Sequence, residues 1–139
     1  VLHVSQYLDR RLECLGLRPG RASGKLTYHD PCDLGRELGE YDAPRRVLTA
    51  ATKSRVVEME RSRERSACCG SGAGVRSAFP ELADAVSRAR VAMAEAAGAD
   101  TIVTSCPWCV QSLTQCQGKD PRVKVVDLVD IVHDALGKK

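Results

Sequence analysis

The chain is organised around one stretch, Cys68-Cys69-Gly70-Ser71-Gly72-Ala73-Gly74, in which two adjacent cysteines run into three alternate glycines. Adjacent thiols are a poor choice for a hydrophobic core, and glycines leave room where another group approaches closely. Cys32 lies 35 residues before this stretch, counting residues 33–67. The motif Cys106-Pro107-Trp108-Cys109 begins 36 residues after Cys69, counting residues 70–105. The cysteine pattern is therefore C, then CCG, then CPWC.

Composition limits what kind of protein this is. The 139 residues are 43% hydrophobic but only 4% aromatic, which predicts one domain with a core of Leu, Val, Ile and Ala. The net charge of +3 is small and its arginines are mixed with acids, so no basic stripe indicates nucleic-acid binding. No apolar run reaches membrane-spanning length, and no signal-peptide pattern is found. We therefore expect no nucleic-acid partner and no direct membrane insertion.

Alternating strand and helix patterns predict an α/β fold with a small, largely parallel four-stranded sheet and flanking helices. The predicted strands are residues 25–29, 55–59, 101–104 and 123–126. The predicted helices cover residues 1–15, a segment starting near residue 42, residues 80–97, residues 107–115 and a segment after Asp127. In the helix over residues 80–97, the apolar residues at helical spacing are Leu82, Ala85, Val86, Ala89 and Met93. Cys14, alone near the end of the first helix, is predicted to be a small buried hydrophobe.

Each cysteine motif follows a predicted strand. Cys32 follows the first strand, the CCG stretch follows the second and Cys106 follows the third. Ligands of parallel α/β sheets bind outside the carboxyl ends of the strands. Parallel strands would therefore bring the three motifs together at one edge of the sheet, although a lone CxxC or a lone CC is a weak signal.

Seven cysteines, five of them clustered in three motifs, favour metal binding or redox chemistry over a disulfide framework. Soft thiolates suit iron–sulfur clusters, whose several iron atoms can accept neighbouring thiolates separately. The glycines would let backbone amides approach the sulfurs, and a helix beginning at Pro107 would favour a Cys106 thiolate.

Two other interpretations stay open from the residues alone. A structural zinc ion would use four of the five cysteines and leave one over. A metal-free thiol–disulfide exchanger would use Cys106 and Cys109 at a helix start. That second interpretation gives no role to Cys32, Cys68 or Cys69.

The motifs also resemble a known family. Residues 28–36, Tyr-His-Asp-Pro-Cys-Asp-Leu-Gly-Arg, together with Cys68-Cys69-Gly70 and Cys106-Pro107-Trp108-Cys109, resemble the cysteine-rich CCG domain over roughly residues 25–115. That domain occurs in the catalytic subunit of heterodisulfide reductase. It also occurs in iron–sulfur subunits of glycolate oxidase, lactate utilisation and glycerol-3-phosphate dehydrogenase systems.

The resemblance implies a function. It implies an iron–sulfur electron-transfer module of a heterodisulfide-reductase-like oxidoreductase, with a 4Fe–4S cluster in cubane or non-cubane form. The implied ligands are Cys32, Cys68, Cys69, Cys106 and Cys109. The isolated domain is not expected to be active by itself, and its catalytic residues are not identified by sequence.

The resemblance also implies an organisation. Residues 1–139 are expected to form one CCG domain, with an N-terminal helix and linker over 1–24 and the α/β core over 25–139. Because only one CCG motif is present and no ferredoxin-like region precedes it, the chain is expected to be a fragment of a longer protein. The expected partners are that ferredoxin-like region or a flavin- or membrane-bound redox subunit. The expected location is the cytoplasm, either free or at the cytoplasmic face of the membrane through a partner.

Four further residues have more than one interpretation each. His29 is a hydrogen-bond donor near the metal, a proton carrier or a polar strand end. Trp108 shields a cluster, touches substrate or anchors the core. Arg36 meets an anionic substrate or is solvated. Cys116, two helical turns after Cys109, faces the site or is an idle thiol.

Overall fold

A computed structural model describes residues 1–18 and 24–136. The helices are α1 (Val4–Asp9), α2 (Asp42–Thr52), α3 (Val75–Ala78), α4 (Pro80–Ala96), α5 (Pro107–Gln115) and α6 (Leu128–Leu136). The strands are β1 (Leu26–Tyr28), β2 (Thr101–Thr104) and β3 (Lys124–Asp127). Short 3-10 turns cover Leu12–Cys14, Arg63–Arg65 and Gly72–Gly74, and a π-helical turn covers Asp33–Glu37. Most of the linker predicted before residue 25, residues 19–23, lies outside the described residues.

The sheet is parallel and runs in the order β1-β2-β3. Thr27 pairs with Ile102, and Ile102 pairs with Val125, so the carboxyl ends of all three strands point to the same edge. The α/β class and the parallel sheet are confirmed. The sheet, however, has three strands in the described part of the chain and not the predicted four.

The predicted strand over residues 55–59 is wrong. This segment makes one isolated parallel bridge, Val56 to Leu26, and Val57 N donates to the Leu26 carbonyl at 2.8 Å. The side chain of Glu58 then accepts a hydrogen bond from Arg45 at 2.6 Å, and Met59 is buried in the core. These side-chain contacts draw the segment away from the sheet edge after one bridge.

Side chains of β2 alternate between two hydrophobic clusters, one on each face of the sheet. Val103 belongs to a cluster with residues of α2 and α6, whereas Ile102 belongs to a cluster with residues of α4 and α5. The sheet is therefore the middle layer of three. Two cysteines of the motifs, Cys69 and Cys109, are part of the second cluster.

Helix α4 buries a different face from the one its apolar repeat marks. Leu82 is 56% exposed. The buried residues are Ala83, Ser87, Arg90, Val91 and Ala94. The reason is polar burial with satisfied hydrogen bonds: the Ser87 hydroxyl donates to the Cys69 carbonyl, and Arg90 donates to the Arg61 carbonyl.

The N-terminal helix is shorter than predicted. It ends at Asp9, and Cys14 lies in a separate 3-10 turn where its side chain is exposed. The prediction that Cys14 is a buried hydrophobe is therefore wrong. Within residues 1–18 and 24–136, no helix has both the length and the apolar character needed to cross a membrane.

The core of the α2 side can be tested by truncating Leu48. Its side chain is fully buried, so Leu48→Ala removes packed methyl groups and leaves a cavity. The free energy of unfolding measured by urea titration should fall by about 2–5 kcal/mol. Leu38→Ala is the control because Leu38 is 63% exposed, and equal losses from both variants would contradict the layer arrangement.

Candidate metal centre

Cys32 is positioned by the rigid turn that follows β1. The backbone N–H of His29 continues the sheet by donating to the Val103 carbonyl at 2.8 Å. The buried carboxylate of Asp30 forms an ion pair with Arg45 at 2.6 Å and accepts a hydrogen bond from the Arg63 backbone at 2.8 Å. These bonds fix the chain two residues before Cys32, whose side chain is half-buried.

The Cys68-Cys69 pair is held against helices α4 and α5. The Cys69 carbonyl accepts hydrogen bonds from the Ser87 hydroxyl at 2.7 Å and from the Ser112 hydroxyl at 2.8 Å. Gly70 follows with a φ of +82°, and a Cβ built on it would lie 2.5 Å from the Ala83 carbonyl oxygen. Only glycine fits here, because the close approach to α4 leaves no room for a Cβ, and the left-handed backbone disfavours one as well.

Cys106 and Cys109 lie at the start of α5. Cys106 is the N-cap residue and Pro107 occupies the first turn, where a missing N–H costs nothing. The Cys106 sulfur accepts a hydrogen bond from the Cys109 backbone N–H at 3.4 Å. The sulfurs of Cys109 and Cys69 are 3.3 Å apart.

The structure brings all five cysteines of the three motifs together. Cys32, Cys68, Cys69 and Cys109 line one small cavity, and Cys106 joins them through its contact with Cys109. Cys32 and Cys106 follow the carboxyl ends of β1 and β2, as predicted. The CCG pair reaches the same edge without a strand before it, because hydrogen bonds from α4 and α5 hold it there.

Hydrogen bonds among the cysteines raise the pKa of some thiols and lower that of others. The Cys109 thiol donates to the Cys69 sulfur, and bonds to Cys106 and Cys69 together with burial raise the Cys109 pKa. The hydrogen bond from Cys109, followed by one from Cys68, holds the pKa of Cys69 well below its usual range. Contact with the Cys109 side chain and the hydrogen bond from the Cys109 backbone N–H lower the pKa of Cys106 to about 7. The lowered pKa values of Cys69 and Cys106 favour the thiolate, the form that binds metals.

A buried cation lies beside these thiolates. Arg90 is 0% exposed and donates to His29 Nδ1 at 3.0 Å, to the Arg61 carbonyl at 2.6 Å and to the Ser66 hydroxyl at 3.2 Å. In the described part of the chain none of its hydrogen-bond acceptors is a carboxylate. A buried charge needs compensation, and negatively charged sulfur ligands nearby would supply it.

Two of the four remaining candidate residues, His29 and Arg36, lie beside the gathered cysteines. His29 is 1% exposed beside Cys69, whereas Trp108 is 64% exposed and therefore does not anchor the core. Arg36 lines the cavity, and its guanidinium donates to the Ser66 carbonyl at 2.6 Å. The Cys116 thiol points to the Leu113 carbonyl at 3.4 Å and does not line the cavity of the other cysteines.

Four residues that support the site were not predicted from the sequence. They are Ser87, Arg90, Ser112 and Arg76, the last of which donates to the Ser112 hydroxyl at 2.8 Å. An available signal was the polar pair Ser87 and Arg90 on a helix whose apolar residues lie elsewhere. Nothing in the local pattern, however, shows that this polar face is the buried one.

A family model described as a cysteine-rich domain, CCG, matches residues 26–114. The chain belongs to this family. The match contains all five cysteines gathered at the sheet edge and confirms the family resemblance.

Curated relatives align along nearly the whole chain. One subunit of a dihydromethanophenazine:CoB–CoM heterodisulfide reductase from Methanosarcina barkeri is 38% identical over 141 residues, covering 99% of this chain and 34% of the relative. One subunit of a fumarate reductase (CoM/CoB) from Methanothermobacter marburgensis is 32% identical, and the alignment covers 97% of this chain and 27% of the relative. A probable iron-sulfur-binding oxidoreductase from Bacillus subtilis is 35% identical, and the alignment covers 98% of this chain and 20% of the relative. The chain thus spans about a third or less of the length of these relatives.

The close approach at Gly70 can be separated from its backbone conformation. Gly74 has a similar φ of +78° but no atom within 4 Å of its would-be Cβ. Gly74→Ala should cost only the left-handed backbone penalty, about 1–2 kcal/mol. Gly70→Ala should cost clearly more in urea unfolding, because the CCG turn must move away from α4. Equal costs would mean that the turn does not pack against α4 in this way.

The thiol pKa values predict different alkylation profiles in metal-free protein. A lowered pKa places the Cys106 thiolate near neutral pH, so its iodoacetamide reaction rate should rise through pH 7 and level off above pH 8. Burial is the largest cause of the raised pKa of Cys32. The alkylation rate of Cys32 should therefore still be rising at pH 9. Mass spectrometry of the alkylated peptides measures both rates, and identical profiles would contradict the hydrogen bonds described for Cys106.

Proposed function

We propose that this chain is an iron–sulfur electron-transfer module, with Cys32, Cys68, Cys69, Cys106 and Cys109 as ligands of a 4Fe–4S cluster. The observation that carries the proposal is the convergence of cysteines from three distant segments: four of them line one cavity, and Cys106 contacts one of the four, Cys109. Such convergence is not needed for packing, because a core of this size can be filled by aliphatic side chains.

The donor set fits an iron–sulfur cluster better than a single metal ion. Zinc in structural sites takes four ligands in a tetrahedron, whereas five thiols are gathered here. Cys68 is exposed and its neighbour Cys69 is buried, yet both line the same cavity. Neighbouring thiols of this kind suit separate iron atoms of one cluster, in either a cubane or a non-cubane form.

A bound iron–sulfur cluster supplies one-electron transfer, and the chain's own groups would set its environment. The backbone N–H of Gly70 donates to the Cys68 sulfur at 3.3 Å, and the N–H of Cys109 donates to the Cys106 sulfur at 3.4 Å. Hydrogen bonds to sulfur favour the more reduced state of a cluster. The buried guanidinium of Arg90 would offset part of the negative charge of the thiolates.

The relatives support an oxidoreductase context. The names of two of them describe reductase subunits, and the name of a third describes an iron-sulfur-binding oxidoreductase. By analogy, this chain would act within a heterodisulfide-reductase-like oxidoreductase in the cytoplasm or at its membrane face. Its electron partner would be a ferredoxin-like region of a longer parent chain, or a flavin- or membrane-bound redox subunit.

The test is anaerobic reconstitution with iron and sulfide. The expected content is about four irons and four sulfides per chain, as one 4Fe–4S cluster requires, with an electron paramagnetic resonance signal on reduction. Cys32→Ser should lose most of the bound iron, because it removes a ligand from the cavity. Cys14→Ser is the matched control and should keep it, since Cys14 is exposed outside the site.

Two other results would replace the proposal. One tightly bound zinc and no iron would make the site structural, with four of the cysteines as ligands. Reversible disulfide formation between Cys106 and Cys109 without any metal uptake, unaffected by Cys32→Ser, would indicate a thiol–disulfide exchanger.

A further inference from the structure

His29 lies between a buried cation and the cysteine sulfurs. Its Nδ1 accepts a hydrogen bond from Arg90 Nε at 3.0 Å. One ring nitrogen of His29 and the sulfurs of Cys69 and Cys109 all lie within 4.8 Å of one another. By residue type this trio is able to bind a metal ion, so two roles are open to His29: a metal ligand or a hydrogen-bond donor to sulfur.

The position of the ring proton separates these roles. A guanidinium has only donors and keeps its protons, so the nitrogen facing Arg90 must present a lone pair. A doubly protonated ring has no lone pair, and His29 must therefore be neutral with its hydrogen on Nε2. A histidine that ligates a metal through Nε2 needs its hydrogen on Nδ1, which is where Arg90 donates.

Arg90 has little freedom to turn away. Its side chain is fully buried, and its two other nitrogens donate to the Arg61 carbonyl at 2.6 Å and to the Ser66 hydroxyl at 3.2 Å. The Ser66 hydroxyl in turn lies 3.4 Å from the Asp30 carbonyl, beside His29 in the chain. The planar guanidinium is therefore fixed in the orientation in which its Nε donates to His29 Nδ1.

We infer that His29 is a positioning residue and not a metal ligand: Arg90 holds it as the Nε2–H tautomer, and that N–H donates a hydrogen bond to the Cys69 sulfur. An N–H···S bond stabilises the added negative charge of a reduced cluster, so His29 raises the reduction potential. This consequence for the potential rests on the proposed function. The tautomer and the hydrogen bond do not, because both involve only residues of this chain and need no bound cluster.

The tautomer can be read directly by nuclear magnetic resonance. Metal-free protein labelled with 15N-histidine contains three histidines, and His29→Leu identifies the His29 signals by their loss. The expected pattern is the Nε2–H tautomer, with a ring proton whose resonance shifts in Cys69→Ala but not in the control Cys116→Ala. An Nδ1–H tautomer, a doubly protonated ring or an unchanged resonance in Cys69→Ala would overturn the inference.

The role of Arg90 is tested in the same spectrum. Arg90→Met removes the donor to Nδ1, so the ring should populate both tautomers. An unchanged Nε2–H tautomer in a folded Arg90→Met variant would mean that Arg90 does not set the ring proton. Where this variant does not fold, the tautomer of the wild-type protein decides.

The reduction potential tests the consequence. In an anaerobic redox titration followed by electron paramagnetic resonance, His29→Leu should shift the midpoint to more negative values. His29→Gln offers an amide N–H at about the reach of Nε2 and should restore much of the shift. An unchanged midpoint in His29→Leu would overturn the inference, and so would loss of iron from both variants, which would make His29 a ligand. If the wild-type protein takes up no iron, the proposed function fails and the tautomer experiment alone decides the inference.

Discussion

The attachment of one backbone carbonyl, that of Cys69, to two helices is the constraint on which the rest of the site depends. Hydroxyls of Ser87 on α4 and Ser112 on α5 both donate to it, at 2.7 and 2.8 Å. Without these bonds a glycine-rich turn would have many conformations at similar free energy. With them, the CCG turn is held in one position, and the Cys69 sulfur meets the Cys109 sulfur at the start of α5.

This constraint explains why α4 buries polar side chains. A helix normally turns its apolar stripe toward the core, since burial of apolar surface is the main favourable contribution to folding. Here Ser87 and Arg90 face inward, and each finds hydrogen-bond partners that offset the loss of water. Because these polar residues face the core, Leu82 on another face of the helix remains exposed. The helix thus gives up some apolar burial to support the turn and His29.

The charges around the cysteines form one electrostatic arrangement. Arg45 binds Asp30 and Glu58 and fixes the approach to Cys32, whereas Arg90 is left without a carboxylate among the described residues. A buried cation without a hydrogen-bonded carboxylate, beside several thiols, is suited to a ligand that carries negative charge. The same arrangement leaves His29 a single tautomer, so one arginine connects the stability of the fold to the properties of the sulfur site.

The sequence alone determined the fold class, the parallel sheet and the three cysteine motifs that meet at its edge, because these depend on local patterns: β-branched runs, helix caps, and cysteines that follow strands. It also indicated helix α4 correctly by its apolar repeat. Which face of α4 is buried, and the loss of the strand predicted over residues 55–59, were decided only by tertiary structure. Both outcomes depend on side-chain contacts between distant segments, Ser87 with Cys69 and Arg45 with Glu58, which no local pattern contains.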